Sequence, residues 1–214
     1  MFKNKNKSTK MELYAILTGI ATTCLIISNI LAFKTFIILD IVLPCAVIIF
    51  PIVYIVNDIL AEIYGFKKAR KVILLGFVMN LIAVICYNIA IALPSPVYFT
   101  GNEAFRTVLS TSLRILIASF TAYLCGSLVN AYLMTYLKKK AEEYLFARCI
   151  LSTLFGEGLD AIIFISIAFY GTMPLIALIG MIIAQALFKT IYEIIIYPLT
   201  RKIINYVKKE YNID

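Results

Sequence analysis

Glu157, Asp160, Lys189 and Glu193 lie inside two long apolar runs, CILSTLFGEGLDAIIFISIAFY and PLIALIGMIIAQALFKTIYEIIIYP. Each run is long enough to cross a bilayer, which takes about 20 apolar residues. A charge near the middle of a membrane helix costs roughly 2.5–3.5 kcal/mol on insertion scales, and such residues commonly mark a solute or ion path. Three carboxylates against one lysine leave surplus negative charge, to be cancelled by a bound proton or a cationic substrate. The pattern therefore points to a binding and coupling site within a membrane. The blander alternative is a buried ion-pair network that only orients two helices.

Spacing refines that reading. Ser152, Gly156 and Asp160 recur every four residues and share one helix face, where small residues let a neighbouring helix approach closely; Glu157 sits beside this stripe. Lys189 and Glu193 are i,i+4 neighbours, suited to an intrahelical pair. A short turn near Gly171–Pro174 folds the two runs into a hairpin, bringing Glu157 level with residues near 187. Gln185 and Lys189 are then its expected partners. Upstream, VNDILAEIYGFKKAR sets Asp58 and Glu62 one turn apart, either as a functional pair or as acids answering Lys67, Lys68 and Arg70. Pro44 and Pro51 are expected to kink the segment before them. Asn29 has the donors and acceptors to meet a flat heterocycle or a second helix. Ala118, Ala122, Gly126 and Asn130 form another small stripe, read as close packing. Arg114 is read as an interfacial residue or as the partner of Asp40 or Glu103.

The elements that must carry these residues follow from composition. Of 214 residues, 62% are hydrophobic and 15% charged, whereas soluble domains run at about 45–50% apolar. Lipid must take up the excess. The sequence has no histidine, and its five cysteines contain no close pair; zinc sites and Ser-His-Asp chemistry lack their parts. No GxxxxGK[ST] phosphate loop is present, and no catalytic constellation, cofactor or metal is expected. The fold class is all-α integral membrane, with six transmembrane helices at about residues 12–33, 37–60, 72–93, 112–137, 149–170 and 174–199. Residues 1–11 form a basic segment expected to be disordered, and residues 12–214 a single six-helix transporter domain.

Charge then orients the spans. Four groups of four basic residues fall at one end: Lys3, Lys5, Lys7 and Lys10; Lys67, Lys68, Arg70 and Lys71; Lys138, Lys139, Lys140 and Arg148; Arg201, Lys202, Lys208 and Lys209. The opposite loops hold only Lys34 and Arg106. By the positive-inside rule both termini are cytoplasmic. The net charge of +8 is thus a matter of topology and implies no nucleic-acid partner.

Four stretches carry a family resemblance: FPIVYIVNDILAEIYGFKKAR, RILIASFTAYLCGSLVN, STLFGEGLDAIIFISIAFYG and QALFKTIYEIIIYPLTRKIINYVKKEYNID. With their ND-xxx-E-x-YG-xxx-AR and ST-xx-G-xxx-D blocks in order, about residues 25–214 resemble the queuosine-precursor transporter family, also called the vitamin uptake transporter family. The resemblance implies a multi-pass protein of the bacterial cytoplasmic (inner) membrane that imports 7-deazaguanine bases for tRNA modification. These are 7-cyano-7-deazaguanine, 7-aminomethyl-7-deazaguanine or queuine. It maps the family's blocks onto Asn57, Asp58 and Glu62, Gly156 and Asp160, and Lys189 and Glu193; with Asn29, Glu157 and Gln185 added from their placement, the expected substrate-binding set is Asn29, Glu157, Asp160, Gln185, Lys189 and Glu193, and Asn57, Asp58 and Glu62 are expected to gate or couple. Many members carry an amide where this chain has Glu157, a departure that adds a titratable group and suits a cationic aminomethyl substrate. Two modes of energisation stay open: a secondary transporter, with proton coupling, or a substrate-binding membrane subunit of an ATP-driven energy-coupling transporter. The implied partners are the small-molecule base and the bilayer, with a homodimer left open.

Overall fold

The computed structural model describes residues 2–38, 41–110, 113–140, 143–172 and 174–211. Asp40, named above as a candidate partner for Arg114, lies outside them. The chain begins in α1 (Phe2–Leu31), which takes in the basic segment for which the sequence suggests disorder. An antiparallel hairpin follows, β1 (Thr35–Ile38) and β2 (Ile41–Pro44), in the register Thr35↔Pro44 to Ile38↔Ile41. A 3-10 turn over Cys45–Ile48 leads into α2 (Phe50–Tyr64), then α3 (Phe66–Ala92), α4 (Asn102–Leu109), α5 (Leu113–Lys138), α6 (Leu145–Phe169) and α7 (Leu175–Tyr211).

Among the described residues, five helices are long and apolar enough to span a bilayer: Lys10–Leu31, Phe66–Ala92, Arg114–Lys138, Leu145–Phe169 and Leu175–Lys209. The expected span at 37–60 is not one continuous helix. Its two prolines sit at breaks instead of kinks: Pro44 ends β2 and precedes the 3-10 turn, and Pro51 falls in the first turn of α2, where a missing N–H costs nothing.

The return path between α1 and α3 is therefore composite. Cys45 N–H donates to Lys34 O at 2.7 Å, tying the hairpin's exit to the end of α1. At the other extreme Tyr64 Oη donates to Lys10 O at 2.8 Å and the Tyr14 and Tyr64 rings meet edge to face. Hairpin, 3-10 turn and α2 thus retrace α1 antiparallel, from its C-terminal end to its N-terminal end. Gly65 turns the chain from α2 into α3 with φ +77° and ψ 166°, a conformation natural only to glycine.

Burial separates α2 from the other helices. Twelve of its 15 residues, Pro51 and Val53 to Ile63 continuously, are buried. It is the central helix, packed by α1, α3, α5 and α7. The long helices present apolar side chains outward, as with Leu75, Val78, Ile82, Ile85 and Ile89 of α3. A short polar-bearing helix at the centre, ringed by helices apolar on their outer faces, is the arrangement of a membrane protein whose functional groups avoid lipid.

The outer ring closes through α5 and α6, which cross at two glycines. A Cβ on Gly126 would stand 2.7 Å from Gly156 O, and one on Gly156 2.8 Å from Gly126 O. Bare backbones touch there, as the two small stripes predict. Arg114, at the start of α5, donates to the carbonyls of Ile167 and Tyr170 at the C-terminal end of α6. That is a natural place for a cation.

Candidate functional site

Near the hairpin end, α1, the 3-10 turn, α2, α5, α6 and α7 surround a cavity of about 430 Å³, mouth included. The space inside it open to a water-sized sphere is only about 40 Å³, so its walls must part to admit a ring-sized ligand. Its polar lining comes from Ser28, Asn29, Ser119, Asp160, Gln185 and Lys189, and Phe50 and Phe164 contribute rings. Lys189 Nζ donates to Asp160 Oδ2 at 2.7 Å, and both residues are buried. The same ammonium lies 4.4 Å from the centre of the Phe50 ring and 5.7 Å from that of Tyr54, so carboxylate and aromatic faces hold it from different sides. Asn29 Oδ1 accepts from Ser119 Oγ at 2.6 Å, fixing that amide across the α1–α5 seam. Gln185 Oε1 has no partner among the described residues.

The acids continue below the cavity floor. Glu157 is buried one turn from Asp160 on α6, and neither of its oxygens has a hydrogen-bond partner among the described residues. Its electrostatic neighbours are Lys189, Asp160 and Glu193. Further on, ligand atoms of Asp58, Cys149 and Glu193, contributed by α2, α6 and α7, lie within 4.8 Å of one another. All three residues are buried, and the four carboxylate oxygens of Asp58 and Glu193 are likewise without partners among the described residues. Asn57 is fully buried next to them in sequence, with both amide atoms in the same condition.

The column ends at Glu62, where four helices are tied together. Arg148 Nη1 of α6 donates to Glu62 Oε2 at 2.6 Å. Lys208 of α7 reaches Glu62 Oε1 at 2.9 Å, and Lys138 of α5 lies 3.4 Å from the same oxygen. Burial pushes the Glu62 carboxyl up, but hydrogen bonds from Arg148 and Lys208 and the charge of Lys138 outweigh it and leave the group below its ordinary value.

The sequence-derived residues thus divide by depth. Asn29, Asp160, Gln185 and Lys189 line the cavity; Glu157 and Glu193 lie behind its floor, Asn57 and Asp58 are packed in the interior, and Glu62 closes the far end. Three expected pairings are not formed: Glu157 bonds neither Gln185 nor Lys189 and has no hydrogen-bond partner among the described residues, and two others are replaced. Lys189 bonds Asp160 instead of Glu193, because α6 offers a carboxylate at hydrogen-bond distance across the helix seam. Glu62 is answered by Arg148, Lys138 and Lys208 instead of Lys67, Lys68 and Arg70, since α3 carries those away from the buried face of α2.

Phe50, Tyr54, Ser119, Phe164 and Arg148 are missing from the sequence-derived set. A periodic signal for several was present. Phe50, Tyr54, Asp58 and Glu62 recur every four residues on one face of α2, and Arg148 extends the Ser152–Gly156–Asp160 stripe back by one turn.

Comparisons with known proteins point to one family. Residues 44–203 match the family model described as "Putative vitamin uptake transporter". A "Probable queuosine precursor transporter" of Haemophilus influenzae is 32% identical over 121 residues, covering 56% of this chain and 49% of the relative. A protein of the same description from Bacillus subtilis is 23% identical over 191 residues, covering 88% of this chain and 82% of the relative. The "Queuosine precursor transporter" of Escherichia coli is 27% identical over 124 residues, 56% of this chain and 52% of the relative. The match therefore spans about half the length of two of these curated relatives. No solved structure matches. A match over most of the chain, on a helical bundle with a polar interior and an apolar exterior, places it: this chain belongs to the family described as putative vitamin uptake transporters, and its apolar helices fit a multi-pass protein of the bacterial inner membrane.

Proposed function

We propose that the protein imports a queuosine precursor, a 7-deazaguanine base, by secondary transport, and that the cavity floored by Asp160 and Lys189 binds it. The observation that carries this reading is the buried Asp160–Lys189 pair inside a cavity with aromatic walls. A guanine-like edge presents a carbonyl oxygen, a ring N–H and an amino group in a row. Asp160 is an acceptor for the two donors, and the Lys189 ammonium, spending one bond on Oδ2, has others for the carbonyl. Phe50 and Phe164 supply flat apolar surface for the ring system. Gln185 Oε1 supplies an acceptor to a substituent such as the aminomethyl group.

The positive-inside rule puts the Glu62 end in the cytoplasm. The chain is then closed on the cytoplasmic side by the Glu62–Arg148–Lys138–Lys208 cluster, with its cavity in the outer half. Release inward requires that cluster to open, which makes Glu62 a gate residue.

Calorimetry on purified protein tests the site with 7-cyano-7-deazaguanine, 7-aminomethyl-7-deazaguanine and queuine. At least one base binds the wild type, and Asp160→Asn removes the binding heat. Unchanged affinity in that variant would show the acid to be structural. Uptake by cells expressing this chain alone tests the mode of transport. Accumulation abolished by a protonophore fits secondary transport, whereas dependence on a separate ATPase complex refutes it.

A further inference from the structure

Asp58 and Glu193 lie outside the cavity lining, so the base reading leaves them without a role. We propose that they form a proton-carrying carboxyl pair, the site through which the proton gradient drives substrate accumulation. This deepens the transport reading above and rests on it.

The geometry is that of a shared proton. Asp58 comes from the central helix and Glu193 from α7, and their oxygens lie within 4.8 Å of each other and of the Cys149 sulfur. Both carboxyls are buried, 0% and 1% exposed. Two carboxylates this close and this dry do not both stay ionised, and one proton between them removes the repulsion.

Hydrogen-bond accounting gives an independent reason. Asn130, 0% exposed, faces Asp58 from α5, and its Oδ1 has no donor among the described residues. With the four carboxylate oxygens that makes five acceptors; the donors facing Asp58 are the Asn130 amide, whose Nδ2 also reaches Thr153 Oγ1 at 3.4 Å, and the weak Cys149 thiol. Buried polar groups are normally satisfied, so the group is short of a hydrogen that a bound proton provides.

The surroundings suit a proton better than a hard metal ion. A hard cation takes about six oxygen ligands, whereas one of the three converging residues here offers a thiol. The other charged and titratable neighbours are Glu157 of α6 toward the cavity, Lys189 one turn away on α7, and Glu62 with Arg148 one turn along α2. Lys189 is engaged by Asp160 and Arg148 by Glu62. Asp160, Glu157, the Asp58–Glu193 pair and Glu62 form a descending series of carboxyls from the cavity floor to the opposite end. A proton entering from the cavity reaches the pair along Asp160 and Glu157, each O–H bond forming as the preceding one breaks, and stops short of Glu62, whose oxygens are taken by Arg148, Lys138 and Lys208. Opening of the Glu62 cluster then exposes the pair to the far side.

The test uses the full chain reconstituted in liposomes with a pH-sensitive dye inside and labelled 7-cyano-7-deazaguanine outside, under an inward proton gradient. The wild type is expected to concentrate the base and acidify the lumen with it. Asp58→Asn and Glu193→Gln are expected to bind the base with wild-type affinity and exchange it at equal concentrations, while losing both accumulation and acidification. Variants that still accumulate under the gradient overturn the proposal. So do variants that lose binding and transport together, and so does accumulation driven by sodium but not by protons. Infrared spectroscopy of the purified protein gives a second arm that needs no substrate. The wild-type minus double-variant spectrum should contain a carboxylic-acid C=O band at neutral pH that vanishes on alkalinisation; carboxylate bands alone refute the pair. A wild type that neither binds nor moves any 7-deazaguanine defeats the substrate reading, and the infrared arm still decides the proton pair.

Discussion

Lys189 and Asp160 illustrate how much a single buried contact carries. Removing one partner strands the other charge in the interior, at a cost of about 3–5 kcal/mol, whereas replacing both with uncharged groups of similar shape is far cheaper. Lys189→Met should therefore lower the melting temperature of the detergent-solubilised protein sharply, and adding Asp160→Asn should restore most of the loss. Glu62 gives the complementary case, a paired acid at the end of its helix with its carboxyl held below the ordinary glutamate value of about 4.3. Its contribution to stability is present above that pH and is lost as pH falls through the depressed value. Thermal melts taken from about pH 5 down to pH 3 should show the wild type losing stability faster than Glu62→Gln, whose side chain does not titrate. The sequence announced both acids, because a carboxylate inside an apolar run stands out. It did not announce their partners. An i,i+4 spacing describes one helix, and the groups that answer Asp160 and Glu62 come from others.

At the level of elements, the α5–α6 crossing sets how closely the cavity walls stand. Gly156→Ala would put a Cβ 2.6 Å from Asn130 Cβ and 2.8 Å from Gly126 O, so the helices must part. Overpacking of this kind costs about 1–3 kcal/mol, and base affinity should fall with stability because Asp160 lies one turn further along the same face. Gly158 is the control: a Cβ there meets nothing within 4 Å, so Gly158→Ala should leave binding intact and raise the melting temperature slightly, by helix propensity worth up to about 1 kcal/mol. The small stripes that produce this crossing were legible at four-residue spacing. The break in the second apolar run was only half legible. Pro44 and Pro51 flagged a disturbance, but a largely apolar run of 24 residues reads as a helix in lipid until neighbours are known to shield it. Here they are, and shielding frees the backbone to form a hairpin, a turn and a helix of 15 residues.

Across the whole molecule, charge asymmetry and chain path make one statement. The start of α1, the end of α7, the α2–α3 turn and the end of α5 with the start of α6 gather at the Glu62 end, while the β-hairpin and α4 gather at the other. Cysteines introduced one at a time into the cysteine-free protein test the orientation. Positions 36 and 98 should react with a membrane-impermeant thiol reagent added to intact cells, and position 68 should react only after permeabilisation; the reverse would invert the topology. Helical class and most boundaries could be read from hydropathy, since lipid-facing helices must be apolar. What could not be read is which crossing has no lipid contact, because that depends on how the others close around it. The burial of α2 also bears on how the protein is made. Its Glu62 meets Arg148 and Lys208 only after α6 and α7 have left the ribosome, more than 80 residues later. Until then a helix bearing Asp58 and Glu62 has no settled place in lipid, so biogenesis must hold it in a sheltered, half-inserted state, and the core locks last. Nascent chains arrested after α3 should therefore leave α2 open to protease, and chains arrested after α7 should not.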